Sequence, residues 1–482
     1  VLFQAITHMA PAAAVAISIP AGAQFAGGAL PLAVVLALIA CVSVAVSIGQ
    51  LSKHLPSAGS FYTHTSRGLH PAVGFLVAWG YAIVEPLVAP LLYIILGITV
   101  AGTLGAEFNC FVCGADQWWI WSLVGAAVVF VLGYLGIQIS ARTGTILGLF
   151  EIGVFAALAI WLIAQAADNS FQVFGRTFAN VEGFEGASGI IAGSVYTILA
   201  FIGFEAAAPL AEETRDPRRT IQRAVVGSAV GIGVFYLMTT YAAVVFFGPN
   251  RFAGFLDFGG GNPWDALARS VWGAGWVLVF LAIVNSAIAN SNAGANAATR
   301  TWFAMGRIRL LPALLAQVHP RWRSPHVAVT LQFLLGIAIP LWLGFQFEPV
   351  VAFLTVATMI VGVIVAIYIA VNAACIGFYW RYRRAEANVL LHAVLPALGI
   401  LAFIPAFFTA MGLPVLPGNF IGRLDHPLDK AGLAAGIAYL VGIAYLVYLY
   451  GTNRRQKIED TGRIFIEDEP EATATTGVAA PA

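Results

Sequence analysis

Three carboxylates interrupt long apolar runs of this sequence: Glu85, Glu151 and Glu205. A charged side chain at the centre of a hydrocarbon layer costs roughly 3 kcal/mol or more, so an acid kept there is a functional candidate by default. Such a group would bind and release a proton, or help to hold a cation. The alternative for each is a protonated acid hydrogen-bonded to a neighbouring helix. Glu151 lies ~15 Å along its helix from Arg142 at 1.5 Å per residue, near mid-membrane, and no apolar run supplies an obvious Lys or Arg at that depth. Glu85 precedes Pro86, where a structural role competes with a functional one. A later run carries Asn285, Ser286, Asn290, Ser291, Asn292 and Asn296, groups that hydrogen-bond helices together in lipid. His8 is a further titratable group; its ring would change charge near neutral pH unless packed and hydrogen-bonded.

The elements that must carry these residues are membrane spans. Of 482 residues, 60% are hydrophobic and 10% charged, and the mean hydropathy is +0.86. A soluble domain carries roughly a quarter charged residues, so there is too little charge here to coat a globule in water. Twelve runs approach the ~20 residues needed to cross hydrocarbon: 3–27, 29–52, 71–104, 118–137, 142–166, 188–211, 220–247, 271–304, 326–345, 349–379, 390–411 and 431–450. They form one membrane domain over 1–451, followed by a tail, 452–482, whose polar end EDEPEATATTGVAAPA reads as disordered and cytoplasmic. The expected fold class is therefore all-α membrane protein.

Two of these spans are not ordinary helices. The first contains Pro11, Pro20 and Gly22; the sixth contains Gly203, Glu205 and Pro209. Proline removes a backbone donor and crowds the preceding turn, and glycine weakens helix propagation. Backbone that unwinds at membrane depth must be buried in protein or line a cavity. These are the first spans of two five-span halves, about 1–166 and 188–379, with 390–450 supplying two extra helices. Interruptions at matching positions of two halves are the best sequence pointer to a transporter binding site; the plainer reading is two kinked helices. The breaks are expected near 11–15 and 200–204. Half-helix N-termini offer free N–H groups to a carboxylate, and half-helix C-termini offer carbonyls to an ammonium. A zwitterionic amino acid matches both.

The basic residues set the orientation. With the N-terminus inside, Arg215, Arg218, Arg219, Arg223, Arg381, Arg383, Arg384, Arg454, Arg455 and most others fall in cytoplasmic segments; Arg176, Arg251, Arg269, Arg423 and Lys430 fall outside. The positive-inside rule then puts both termini in the cytoplasm of a multi-pass inner (plasma) membrane protein. The chain begins at Val1, so its natural start is expected upstream, and the first run has no basic leader typical of a cleaved signal peptide. Cys110 and Cys113 form CxxC in an outer loop, which without further ligands reads as a short disulfide or two thiols. Trp118, Trp119 and Trp121 read as an interfacial belt. No metal site, cofactor or nucleic-acid partner is expected. The clustered catalytic set of an intramembrane enzyme is lacking, so no enzyme is expected.

Several stretches resemble the amino acid–polyamine–organocation (APC) superfamily. They are AFIGFEAAAPLAEETRDPRRTIQRAV (200–225), SARTGTILGLFEIGVF (140–155), NSAIANSNAGANAATRTWFAMGRIRLLPALLAQVHPRWRSPHVAV (285–329) and LSKHLPSAGSFYTHTSRGLHPAVGFLVAW (51–79). The resemblance covers spans 1 to 10, with spans 11 and 12 less marked. It implies the leucine-transporter-like fold, twelve transmembrane helices with inverted five-helix repeats plus two extra helices. It implies a secondary active transporter (permease) for amino acids or related organic amines, by proton-coupled symport through alternating access or by exchange; a non-transporting amino acid sensor is the alternative, and its usual signalling domain is not seen here. The backbone of Ala12, Ala13 and Ala14 would bind substrate carboxylate. Leu199, Ala200, Phe201 and Ile202 would bind the amine through carbonyls, with Phe201 as a lid. Some proton-coupled members carry Lys where Glu151 stands, in the place of a sodium ion, so Glu151 would bind a proton or possible sodium. Glu205 matches an acidic family position beside the second break, and Ser286 one facing the first break. Asn285, Glu85 and His8 complete the coupling candidates. The sequence departs from the family in having Pro-Ala-Ala-Ala where a Gly-Ser-Gly-like segment is common.

Overall fold

The computed structural model describes residues 2–56, 59–108, 111–137, 141–214, 216–413, 422–452 and 454–463. Cys110, Arg215 and the tail end 464–482 lie outside them. Among the described residues, nineteen α-helices follow in chain order: α1 (Leu2–His8), α2 (Pro11–Ala13), α3 (Ile19–Ala21), α4 (Ala23–Ala26), α5 (Leu30–Leu51), α6 (Ser60–Gly68), α7 (Pro71–Glu107), α8 (Trp118–Leu135), α9 (Ala141–Gln165), α10 (Ala187–Phe201), α11 (Pro217–Phe247), α12 (Phe258–Gly261), α13 (Pro263–Trp272), α14 (Trp276–Arg307), α15 (His326–Phe347), α16 (Pro349–Tyr382), α17 (Leu395–Ala410), α18 (Asp429–Gly451) and α19 (Arg455–Arg463). A short antiparallel hairpin pairs β1 (Asn180–Val181) with β2 (Phe184–Glu185).

Among the described residues, 11 helical stretches are long and apolar enough to cross a membrane. All but one coincide with a single expected span. The exception, Ala5–Leu51, is 47 residues long and covers the first two. A straight helix of that length would measure roughly 70 Å, more than twice the hydrocarbon thickness. The backbone does not run straight: it breaks at Ala10 (φ 48°, ψ 62°) and again at Gly27 (φ 54°, ψ −138°).

The bundle has an inside and an outside. Helices α7 and α10 are mostly buried, and α7 packs along α14 while α5 packs along α11. Helices α8, α9 and α18 turn large apolar side chains outward, among them Val128, Trp161, Leu440 and Val447. An apolar exterior this extensive is a liability in water and suits contact with lipid.

Prolines inside α7 show how the core serves freed backbone groups. Pro86 has no N–H for the Ala82 carbonyl four residues back; the indole Nε1 of Trp302 donates to it instead, at 2.9 Å. Pro90 likewise frees the Pro86 carbonyl, which Gln332 Nε2 approaches at 3.5 Å. Both substitutes come from other helices, the way a membrane helix tolerates proline.

Two sequence expectations need correction. The tail does not lose structure at 452: α19 folds back on the bundle, burying Ile458, and Lys457 Nζ donates to Arg309 O at 2.8 Å. Trp118 is not a belt residue. It is buried against Phe345, with ring centroids 5.5 Å apart, while the half-buried Trp121 donates to Val112 O at 3.0 Å. Cys113 is disulfide-bonded.

Candidate functional site

The two interrupted helices meet at their breaks. In the first, α1 ends at His8, Ala10 turns left-handed, and α2 begins with Pro11. A left-handed non-glycine residue costs roughly 1–2 kcal/mol. In the second, α10 ends at Phe201, Ile202 is extended (φ −57°, ψ 128°) and Gly203 has φ 121°. A tight 3-10 segment, Phe204–Glu213, follows. A Cβ on Gly203 would lie 2.6 Å from the His8 carbonyl oxygen and 2.8 Å from Met9 N, so only glycine lets the two chains approach this closely.

The second break falls within the expected 200–204. The first lies ahead of the expected 11–15, because proline at the first position of a helix has no N–H bond to lose. Pro11 therefore starts α2 rather than breaking a helix. Residues Ala14–Ser18 stay helical but widen into a π-turn, a local irregularity common at functional sites.

Glu151 sits behind the first break. It is 3% exposed and lies on α9 where α2 and α14 pack together. Asn285 Nδ2 donates to its Oε1, and the Ser286 hydroxyl and the Ala12 backbone N–H lie beside the same carboxylate. The free N–H at the start of α2 thus faces an acid of the protein itself, a favourable pairing of a negative group with a helix N-terminus.

A second acidic group flanks the other break. Glu205 is 2% exposed; its Oε2 accepts from Gly203 N at 2.9 Å, which secures the strained turn. Glu85 is fully buried on α7, and His8 Nε2 lies 3.9 Å from its Oε2. The hydroxyls of Tyr81 and Tyr368 stand next to Glu85 and Glu205 respectively. The expected coupling residues therefore gather into two clusters: Glu151 with Asn285 and Ser286, and Glu205 with Glu85 and His8.

Residues proposed for substrate contact lie at the break, and several of their backbone groups are already engaged. Ala14 N donates to Ala10 O at 2.8 Å, and Leu199 O accepts from Ile202 N at 3.1 Å. Ala12 and Ala13 are buried in α2. Phe201 is fully buried, edge-on to Tyr236 at 5.4 Å and close against Gly233 of α11. It is packed into the wall of the bundle rather than standing over an opening.

Two site residues escaped the sequence reading. Tyr236 Oη lies 2.8 Å from Met9 O and 3.0 Å from Ala200 O, so one hydroxyl ties both breaks together. Trp264 Nε1 donates to Val15 O, in the π-turn, at 2.7 Å. A Tyr or Trp within an apolar run looks like any core aromatic. The available signal was chemical: a buried Tyr or Trp needs a partner for its polar atom, and a broken helix supplies orphan carbonyls.

Comparison with known proteins bears on this arrangement. The sequence profile of the family described as Amino acid permease matches residues 1–454. The chain is similar to the low-affinity putrescine importer PlaP of Escherichia coli, 27% identical over 430 residues, which cover 87% of this chain and 85% of that protein. It is similar to the branched-chain amino acid permease BcaP of Bacillus subtilis, 24% identical over 463 residues, 91% of this chain and 88% of that one. It is also similar to the serine/threonine exchanger SteT of Bacillus subtilis, 22% identical over 418 residues and 85% of each chain. The family match runs from the first helix break through the last long helix, and so the chain belongs to the amino acid permease family of the APC superfamily.

Proposed function

We propose that this protein is a secondary active transporter of amino acids or related organic amines, coupled to protons and working by alternating access. The observation that carries this reading is the meeting of two helix breaks at Gly203 and His8, with buried carboxylates on both sides. On this reading Ala5–Leu51 crosses the inner membrane twice, giving twelve crossings, an inverted pair of five-helix repeats and two further helices, with both termini cytoplasmic. Ala12, Ala13 and Ala14 would meet the substrate carboxylate, and the carbonyls of Leu199, Ala200, Phe201 and Ile202 its ammonium group.

On this reading coupling would run through Glu151. Neutralised by a proton, its carboxyl no longer competes with a substrate carboxylate for the N-terminal end of α2. Ionised, it takes up that helix end itself. Proton binding and substrate binding then favour each other, and by linkage each must change the affinity of the other by the same factor. Substrate entry would also displace the Tyr236 hydroxyl from the carbonyls of Met9 and Ala200, releasing the two breaks from one another.

The relatives named above span a diamine, branched-chain and hydroxyl-bearing amino acids, and include an exchanger. Purified protein in liposomes, offered labelled amino acids and amines, tests the reading. Accumulation should need an inward proton gradient and survive replacement of sodium by choline. Flux that appears only when the liposomes are preloaded with substrate would favour exchange, and absence of flux for the whole panel would overturn transport.

A further inference from the structure

The last turn of α14, the end of α18 and the short helix α19 meet at one corner of the bundle, and the corner is basic. Lys457 Nζ of α19 donates to Arg309 O, just past α14, at 2.8 Å. Tyr445 Oη of α18 donates to the next carbonyl, Leu310 O, at 3.0 Å. These bonds carry Arg307 and Arg309 to the same corner as Arg454, Arg455 and Lys457. All four arginines are exposed. Arg455 pairs with Glu459, its Nε 3.3 Å from Oε1. Among the described residues, no carboxylate pairs with Arg307, Arg309 or Arg454. Arg307 and Arg454 lie instead over the rings of Phe303 and Tyr448, at 5.9 and 6.0 Å.

Arg309 is also strained. It closes α14 with a left-handed backbone, φ 58°, as Leu310 N returns to Met305 O at 2.9 Å. Glycine is the usual residue at that closing position, because a Cβ is crowded there. Like charges gathered at such a turn repel one another, so the corner gains from a negative charge brought to it from outside.

The surroundings select the kind of anion. Helix α18 runs into this corner with Leu440, Val447 and Tyr448 turned outward. Apolar side chains exposed along one helix suit acyl chains, and a tyrosine at the end of a span suits the level of the headgroups. Basic residues beside the cytoplasmic end of a span attract anionic lipid. A ligand that fits both parts is negative at one end and apolar at the other. On the orientation given above, the corner faces the cytoplasmic leaflet.

We propose that Arg307, Arg309, Arg454 and Lys457 form a site for the headgroup of an anionic glycerophospholipid whose acyl chains lie along α18. The lipid phosphate ties α19 to the loop after α14 and keeps Ile458 seated in the bundle. The site serves whatever substrate the protein carries, and its occupancy is read without transport.

The test titrates detergent-purified protein with dioleoylphosphatidylglycerol or dioleoylphosphatidylcholine and follows the melting temperature. The expected result is a rise with the anionic lipid that the zwitterionic lipid does not match and that shrinks as salt is added. In a variant carrying Arg309→Asn and Arg454→Gln, the apparent affinity for the anionic lipid should fall about tenfold or more; asparagine tolerates the left-handed backbone at 309. A control carrying Arg218→Gln and Arg219→Gln removes the same charge from exposed positions on α11 and should bind the lipid as wild type does. Equal rises with the two lipids, an undiminished rise in the first variant, or an equal loss in both variants would overturn the site. A rise reproduced by inorganic phosphate alone would assign the corner to a soluble anion and overturn the lipid. Should the first variant fail to fold, Arg307→Gln takes its place, with the same outcomes deciding.

Discussion

Gly203 touches His8 across the two helix breaks: a Cβ on the glycine would fall 2.6 Å from both the carbonyl carbon and the oxygen of His8. The contact is backbone to backbone, so no side chain can move aside to relieve a clash. Gly203→Ala should force the breaks apart and add about 1–2 kcal/mol of strain at φ 121°. The expected outcome is protein that inserts and remains monodisperse in detergent but transports poorly. Wild-type transport by this variant would contradict the close approach.

The Tyr236 hydroxyl holds the same junction from α11. Tyr236→Phe keeps the ring against Phe201 and leaves the carbonyls of Met9 and Ala200 without their donor. An unserved buried acceptor costs about 1–3 kcal/mol. The melting temperature without substrate should fall, and the fall should shrink when substrate supplies its ammonium group. A melting temperature equal to that of wild type would remove Tyr236 from the junction.

The positions of the breaks and of the acids were legible in the sequence because each violates the chemistry of an apolar helix. Pro11 and Gly203 mark backbone that cannot continue regularly, and Glu85, Glu151 and Glu205 mark charge where charge is expensive. The shift of the first break to Met9–Ala10 was not legible. Alanine has no left-handed preference; Pro11 disfavours a right-handed helical Ala10, and Gly203 packs against the neighbouring His8. Tyr236, Trp264 and Trp302 were hidden for a related reason: each serves a carbonyl far away in sequence, and apolar periodicity carries no trace of such pairs.

Trp302 gives a test of the α7 prolines. Trp302→Phe retains an aromatic ring and removes the donor to Ala82 O, at a cost of about 1–3 kcal/mol. Pairing it with Pro86→Ala, which restores an N–H for that carbonyl, should recover most of the loss. Simple additivity of the two substitutions in thermal melts would show that the indole does not serve that carbonyl.

His64 lies on α6, outside the candidate spans, with Nε2 3.3 Å from Leu55 O. Burial pushes its pKa down from 6.5 to about 4. The unfolded chain therefore binds more protons than the folded one between those values, and stability should fall as pH drops below about 6.5. The slope for one such group is at most about 1.4 kcal/mol per pH unit. Comparing melts at pH 7.5 and pH 5, His64→Gln should lose less stability than wild type. An equal loss in both proteins would assign the acid sensitivity to other groups.

Glu151 decides the central claim, because the proposed coupling passes through its proton. Glu151→Gln resembles the protonated acid, retains an acceptor for Asn285 and has no proton to release. The decisive measurement is uptake into liposomes with and without an inward pH gradient, alongside exchange of preloaded substrate. The account predicts that the variant binds and exchanges substrate but no longer accumulates it in response to the gradient. A variant that accumulates substrate with wild-type pH dependence would contradict the account and move the coupling role to Glu205 or Glu85.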